Sequence, residues 1–138
     1  MTASAVDEKF LEEVAENVLK EENKRAKNLS VAFVGEAKIR ELNKKYRKKD
    51  RATDVLSFGG GKQFLSLPKE EKELGEIVIC PGVVKRNAKK YNLTFKKELA
   101  RVLIHGILHL CGYEHEKGKA KAEKMKKREE HYFFQISN

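Results

Sequence analysis

Apolar positions along the chain keep two rhythms, a helical one at every third or fourth residue and a strand-like one at every second. The switches between them outline eight elements. Across residues 5–26, Phe10, Leu11, Val14, Val18 and Leu19 share a helical face, and Ser4 stands where an N-cap is expected. NLSVAFVG (28–35) reads as a strand closed by Gly35. Residues 36–46 are helical, with Ile39, Leu42 and Tyr46 on one side. TDVLSF (53–58) alternates like a strand and runs into a turn at Gly59, Gly60 and Gly61, followed by a polar loop over 62–73 that contains Pro68. LGEIVIC (74–80) is a short apolar strand, and Pro81 suits the first position of the next helix because it has no N–H to leave unpaired. Helices are predicted over 82–91, 95–110 (stopped by Gly112) and 117–134. The order α-β-α-β-β-α-α-α predicts an α+β fold, an α/β sandwich in which a small mixed sheet packs with helices. No repeat or linker interrupts residues 1–138, so one domain is expected.

The chemistry concentrates in HGILHLCGYEH (105–115). His105 and His109 are four apart on the predicted 95–110 helix, so their rings project from one face about 6 Å apart along the axis. Two such imidazoles can reach one ion. The next turn of the helix points past that ion, so a third ligand requires the chain to reverse. Gly112 permits the reversal, and His115 returns toward the same point. Three neutral histidines leave a fourth position for water, the pattern of catalytic zinc and not of closed structural sites. The spacing H-x-x-x-H-x-x-G-x-x-H is that of metzincin peptidases. The residue after the first histidine, however, is Gly106, where zincin peptidases carry their glutamate base. Glycine inside a helix costs about 1 kcal/mol relative to alanine, which suggests another element packed closely against it. His131 reads as a surface residue, and Cys111, beside an apolar helix end, as a buried thiol.

Charge alters the picture of the substrate. The chain carries 37% charged residues and a net charge of +9, unevenly spread. The first 23 residues hold seven acids against Lys9 and Lys20, whereas residues 38–51 hold eight Lys/Arg, 77–97 six and 117–128 seven. This asymmetry points to an anionic partner, most simply nucleic acid, met by backbone contacts. Lys44, Lys48, Lys85 and Arg86 are the expected phosphate contacts. The two cysteines, Cys80 and Cys111, form neither a CxxC pair nor a disulfide framework, which favours a reducing compartment such as the cytoplasm. The opening MTASAVDEKF lacks the signature of a signal peptide, and no apolar run approaches the ~20 residues of a membrane span.

HGILHLCGYEH resembles the HGxLHLxGYDH signature of the YbeY endoribonuclease family of bacterial rRNA maturation factors. ELNKKYRKKDRATDVLSF (41–58) and LGEIVIC (74–80) agree with two further blocks of that family in order and spacing. Two departures are visible: Glu114 replaces the usual Asp before the third histidine, and Ala52 replaces a frequent proline. The resemblance implies a small α/β fold with a metal in a cleft, and a single-strand-specific endoribonuclease acting in 3′-end maturation of small-subunit rRNA and in ribosome quality control. It implies metal ligation by His105, His109 and His115, and a functional role for Arg47. Zinc is the expected ion, although three histidines also suit nickel, cobalt or iron.

On this reading the catalytic set is Arg47, His105 and Glu114, with Arg47 also among the RNA contacts. Arg47 would neutralise charge on phosphoryl oxygens through its planar fork. Glu114 adjoins the third ligand and either orients a histidine, accepts a proton or is a plain turn residue. Glu76 either faces the cleft or occupies a half-exposed strand position. Asp54 and Ser57 are candidates to shape the site, although strand alternation would place them on opposite faces. The sequence is also compatible with two alternatives: a metallopeptidase using Glu114 as base, and a non-catalytic ribosome assembly factor with a structural metal.

Overall fold

The computed structural model describes residues 6–24, 28–59, 73–114 and 116–136. Its elements follow the predicted order: α1 (Glu8–Glu21), β1 (Asn28–Phe33), α2 (Glu36–Arg47), β2 (Val55–Gly59), β3 (Glu73–Ile79), α3 (Pro81–Lys90), α4 (Phe95–Leu110) and α5 (Lys119–Phe134). The fold is α+β. Pro81 opens α3, and Thr94 caps α4 by accepting from the Lys97 N–H at 3.1 Å. The start of α1 differs from expectation. Asp7, not Ser4, is its N-cap, because the Asp7 carboxylate accepts from the Phe10 N–H at 3.0 Å. Ser4, Gly60, Gly61 and the expected loop up to residue 72 lie outside the described residues.

The sheet has the order β1-β3-β2, with β1 parallel and β2 antiparallel to β3. The central place of β3 follows from its composition. Ile77, Val78, Ile79 and Cys80 are an unbroken apolar run and are all fully buried. Such a run suits a strand covered on both faces. Ile77 and Ile79 enter a core with α1, α4 and α5, whereas Val78 and Cys80 pack with Ile39 and Leu42 of α2 and with Leu56 and Phe58 of β2. Burying each large aliphatic side chain contributes about 1.5–3 kcal/mol. The sheet is therefore sandwiched, with α4 on one face and α2 on the other. Glu76 departs from both expectations for it: it is 1% exposed and does not line the cleft described below.

Helix α4 is the hub. It packs against α1, α3, α5, β2 and β3, and its apolar residues from Leu99 to Leu108 are buried nearly all round. Gly106 explains how it seats on the sheet. A Cβ there would lie 3.1 and 3.2 Å from side-chain carbons of Ile77 and 3.2 Å from Ser57 Oγ. Ser57 Oγ also donates to the Gly106 carbonyl at 3.2 Å, a contact possible only with the helix this close. The glycine thus marks the close packing expected of it. Gly106→Val should force α4 off the sheet and lower stability by roughly 1–3 kcal/mol. Denaturant unfolding measures this, and an unchanged midpoint would contradict the seating.

Candidate functional site

His105 and His109 emerge from one face of α4 near its C-terminal end. Their Nε2 atoms stand 3.1 Å apart, with the rings nearly perpendicular. The partners of the other nitrogens decide what this pair can do. His105 Nδ1 lies 2.6 Å from Glu129 Oε1 on α5, and His109 Nδ1 lies 3.1 Å from the Tyr113 carbonyl oxygen. A carbonyl oxygen and an ionised carboxylate only accept, so both contacts suit rings that donate from Nδ1. With that tautomer both Nε2 lone pairs face one point, where a shared cation relieves their repulsion. Two nitrogens each about 2.0–2.1 Å from one tetrahedral ion are separated by roughly 3.3 Å, so this donor pair fits a divalent metal. A third donor must complete the set. His115 lies outside the described residues, and among those residues no cluster of three metal-binding side chains forms.

The turn that carries the Tyr113 carbonyl is itself held. Gly112 has φ +101°, the backbone reversal expected at this position. The Tyr113 hydroxyl donates to Glu22 Oε1 at 3.0 Å, just past the end of α1. Glu22 also accepts from Arg128 Nη2 at 2.7 Å and from the Tyr132 hydroxyl, both on α5. Its side chain is only 8% exposed. Burial works against the Glu22 charge, yet hydrogen bonds from Tyr132, Arg128 and Tyr113 outweigh it and hold the carboxyl below its usual range. Burial, then the Glu22 carboxylate, pushes the Tyr113 hydroxyl above the usual phenol range.

Opposite the histidines, the end of α2 and the segment leading into β2 form the other wall of a cleft of about 830 Å³. Arg47, Lys49, Arg51, Asp54 and Ser57 line this wall, and Tyr113, Glu114 and Lys117 line the histidine side. Arg47 Nη2 donates to the Ser57 carbonyl at 2.6 Å, and its guanidinium lies 5.9 Å from the Phe58 ring centroid. One edge of the guanidinium is thereby fixed. Buried Asn43 braces the same wall by donating to the Arg51 carbonyl at 2.9 Å. Lys48 caps α2 in the left-handed conformation.

The structure brings His105, His109, Arg47 and Glu114 to one cleft. Glu114 pairs at the rim with Lys117 at 3.6 Å and Lys121 at 3.8 Å. Asp54 and Ser57 both reach the cleft, because Asp54 precedes β2 and so escapes its alternation. Lys44, Lys48, Lys85 and Arg86 are exposed and are not among the cleft-lining residues, and the Arg86 fork is bidentate with Glu36 at 2.6 and 2.8 Å. His131 is exposed, as expected, and pairs with Glu21 at 2.9 Å. Cys111 is half-buried, and burial pushes its thiol up to about 11. Glu129, Glu22, Asn43, Lys49 and Arg51 were not foreseen. Glu129 had a signal: it follows Met125 by four residues and precedes Tyr132 by three, which places it on the buried stripe of α5.

Two imidazoles aimed at one point across from an arginine-lined wall suit a cation together with an anionic ligand. The family model described as Endoribonuclease YbeY matches residues 2–137. The chain belongs to this endoribonuclease family. The Endoribonuclease YbeY of Thermodesulfovibrio yellowstonii is 50% identical over 74% of this chain, a match spanning 62% of that relative's length. That of Thermotoga neapolitana is 42% identical over 94% of this chain and 80% of its own. A solution structure of a Thermotoga maritima protein superposes with TM-score 0.63 at 39% identity, covering 92% of this chain and 81% of that one. These relatives do not favour the peptidase or the non-catalytic alternative.

The lowered Glu22 carboxyl has a consequence for acid stability. Folding lowers its pKa, so the ionised group stabilises the fold above its unfolded value, and that contribution is lost as pH falls through the folded value. Glu22→Gln should be less stable at neutral pH, by roughly 1–3 kcal/mol, with a shallower decline toward acid. Denaturant unfolding from neutral to acid pH tests this; parallel curves for the two proteins would refute it.

Proposed function

We propose that this chain, as one domain, is a metal-dependent, single-strand-specific endoribonuclease that acts in the cytoplasm in 3′-end maturation of small-subunit rRNA and in ribosome quality control. Its partners on this reading are the rRNA precursor and the small ribosomal subunit. The observation that carries the reading is the convergence of two Nε2 lone pairs on one side of a cleft whose other side presents Arg47. His105, His109 and His115 would hold one ion, preferably zinc. When bound, that ion supplies Lewis acidity and a water of lowered pKa.

The chain's own groups do the rest. Glu129 and the Tyr113 carbonyl hold the Nδ1 protons and keep both Nε2 lone pairs aimed inward. Arg47 has one edge tied to Ser57, and its remaining donors neutralise charge that builds on the non-bridging phosphoryl oxygens. Glu114, at the rim, would accept a proton. Lys49, Arg51 and Lys117 meet the RNA backbone inside the cleft. Lys44, Lys48 and Lys85 extend that positive surface outward, while Arg86 joins it only by sharing its fork with Glu36. Such contacts give affinity without a base code. A peptidase of zincin type is disfavoured by space as well as by residue type, because a glutamate side chain at 106 would run into Ile77 and Ser57.

Two measurements test this reading. Arg47→Ala should leave fold and metal content unchanged and slow cleavage of a single-stranded rRNA precursor by roughly 10²–10³-fold, and metal-stripped protein should be inactive. Undiminished cleavage by Arg47→Ala removes that residue from the mechanism, and casein hydrolysis would revive the peptidase reading. RNA affinity should fall steeply with salt, and Lys49→Ala or Arg51→Ala should each reduce the log–log slope by about 0.7. A flat salt titration would place the binding surface elsewhere.

A further inference from the structure

We propose that Glu22 is a positioning residue for His109, acting through the Tyr113 hydroxyl. Tyr113 does two things at once. Its carbonyl receives the His109 Nδ1 proton, at 3.1 Å, and its hydroxyl is anchored on Glu22, at 3.0 Å. The tautomer of His109 therefore depends on where the 111–114 turn lies. The Tyr113 hydroxyl is tied to the rest of the molecule through Glu22, which receives its proton. The Lys124 ammonium, 5.8 Å from the ring centroid, adds a weaker hold. The Gly112 and Tyr113 N–H groups seat the turn on α4, at 3.0 Å each, and without the hydroxyl anchor it loses its side-chain reference to α1 and α5. The Nδ1 proton then loses its acceptor, and the imidazole is released to carry its proton on Nε2, where it blocks ligation.

Glu22 is suited to the task because it does not move. Arg128 holds it from α5 with Nε at 3.2 Å and Nη2 at 2.7 Å, and the Tyr132 hydroxyl donates to it as well. Arg128 and Glu129 are consecutive on α5, and together they serve both histidines. Glu129 holds His105 directly, and Arg128 reaches His109 through Glu22 and Tyr113. The last helix thereby sets the tautomer of both imidazoles of α4 from a single turn.

The proposal rests on the metal-site reading, and its test separates the two. Glu22→Ala leaves Arg128 without its partner and can lower stability on its own account, so the decisive variant is Tyr113→Phe, which keeps the ring and removes only the hydroxyl. Tyr132→Phe is the control, since it removes another hydrogen bond to Glu22 but none to the site turn. Nitrogen-15 long-range correlation spectra of the metal-free protein, recorded well above the ordinary imidazole pKa, report the His109 tautomer without any metal. Wild type and Tyr132→Phe should show the Nδ1–H form, and Tyr113→Phe should show a mixture with Nε2–H. Competition titration with zinc should show affinity about tenfold weaker in Tyr113→Phe and unchanged in Tyr132→Phe. A wild-type tautomer and wild-type zinc affinity in Tyr113→Phe would overturn the proposal, as would equal losses in both variants. Failure of the wild type itself to bind zinc would overturn the metal site, while the tautomer spectra would still decide the role of Tyr113.

Discussion

The seating of α4 on the sheet at Gly106 is the constraint on which the rest of the molecule depends. The helix is buried nearly all round, so its position is set by the packing of Leu99, Leu103, Ile104, Ile107 and Leu108 and not by the polar residues it carries. Close packing leaves such a helix little freedom to shift. His105 and His109 inherit that rigidity. With no side chain at 106, Ile77 and Ser57 touch the helix directly, and Ser57 ties itself to the Gly106 carbonyl. Ser57 also offers its own carbonyl to Arg47. A single residue of β2 thus links the histidine helix to the opposite wall of the cleft, so the separation of the two walls is fixed by the core.

Polar satisfaction does the second part of the work. An imidazole is useful as a ligand only when its other nitrogen has an acceptor, and the two histidines obtain theirs from different sources. One is a carboxylate from α5, and the other is a backbone carbonyl in a turn pinned to α1. The acidic character of α1 acquires a local meaning here. Most of its acids face solvent, but Glu22 lies at the meeting point of α1, α5 and the site turn, where its charge is matched by Arg128. The basic remainder of the chain likewise divides into cations paired with carboxylates and cations that line the cleft. Arg40 and Arg86 are spent on Asp50 and Glu36, which hold neighbouring elements together, whereas Arg47 has no carboxylate partner among the described residues and lines the cleft.

Much of the architecture was legible in the pattern of apolar residues. All eight elements lie where the periodicity places them, because helical and strand rhythms are local properties of a few consecutive residues. Errors fell at the ends and at polar positions. The N-terminal cap went to Asp7, whose carboxylate reaches the Phe10 N–H. Glu76 proved buried, because helices cover both faces of the sheet and neither side of β3 meets solvent. Asp54 and Ser57 share the cleft because the strand begins one residue after Asp54.

What the chain determined by itself was the spacing of the ligand candidates and the two glycines that serve them. His105 and His109 share a face because a helical turn is 3.6 residues long, and Gly112 reverses the chain because it alone tolerates that backbone. These are matters of covalent geometry within a turn or two. The tertiary structure alone decided which groups hold the imidazoles and which cations line the cleft. The acceptor for His105 is 24 positions away, Glu22 is 91 from Tyr113, and Arg128 is 106 from Glu22. Hydrogen bonds over such separations exist only after the core has brought α1, α4 and α5 together, and no local pattern of residues encodes them.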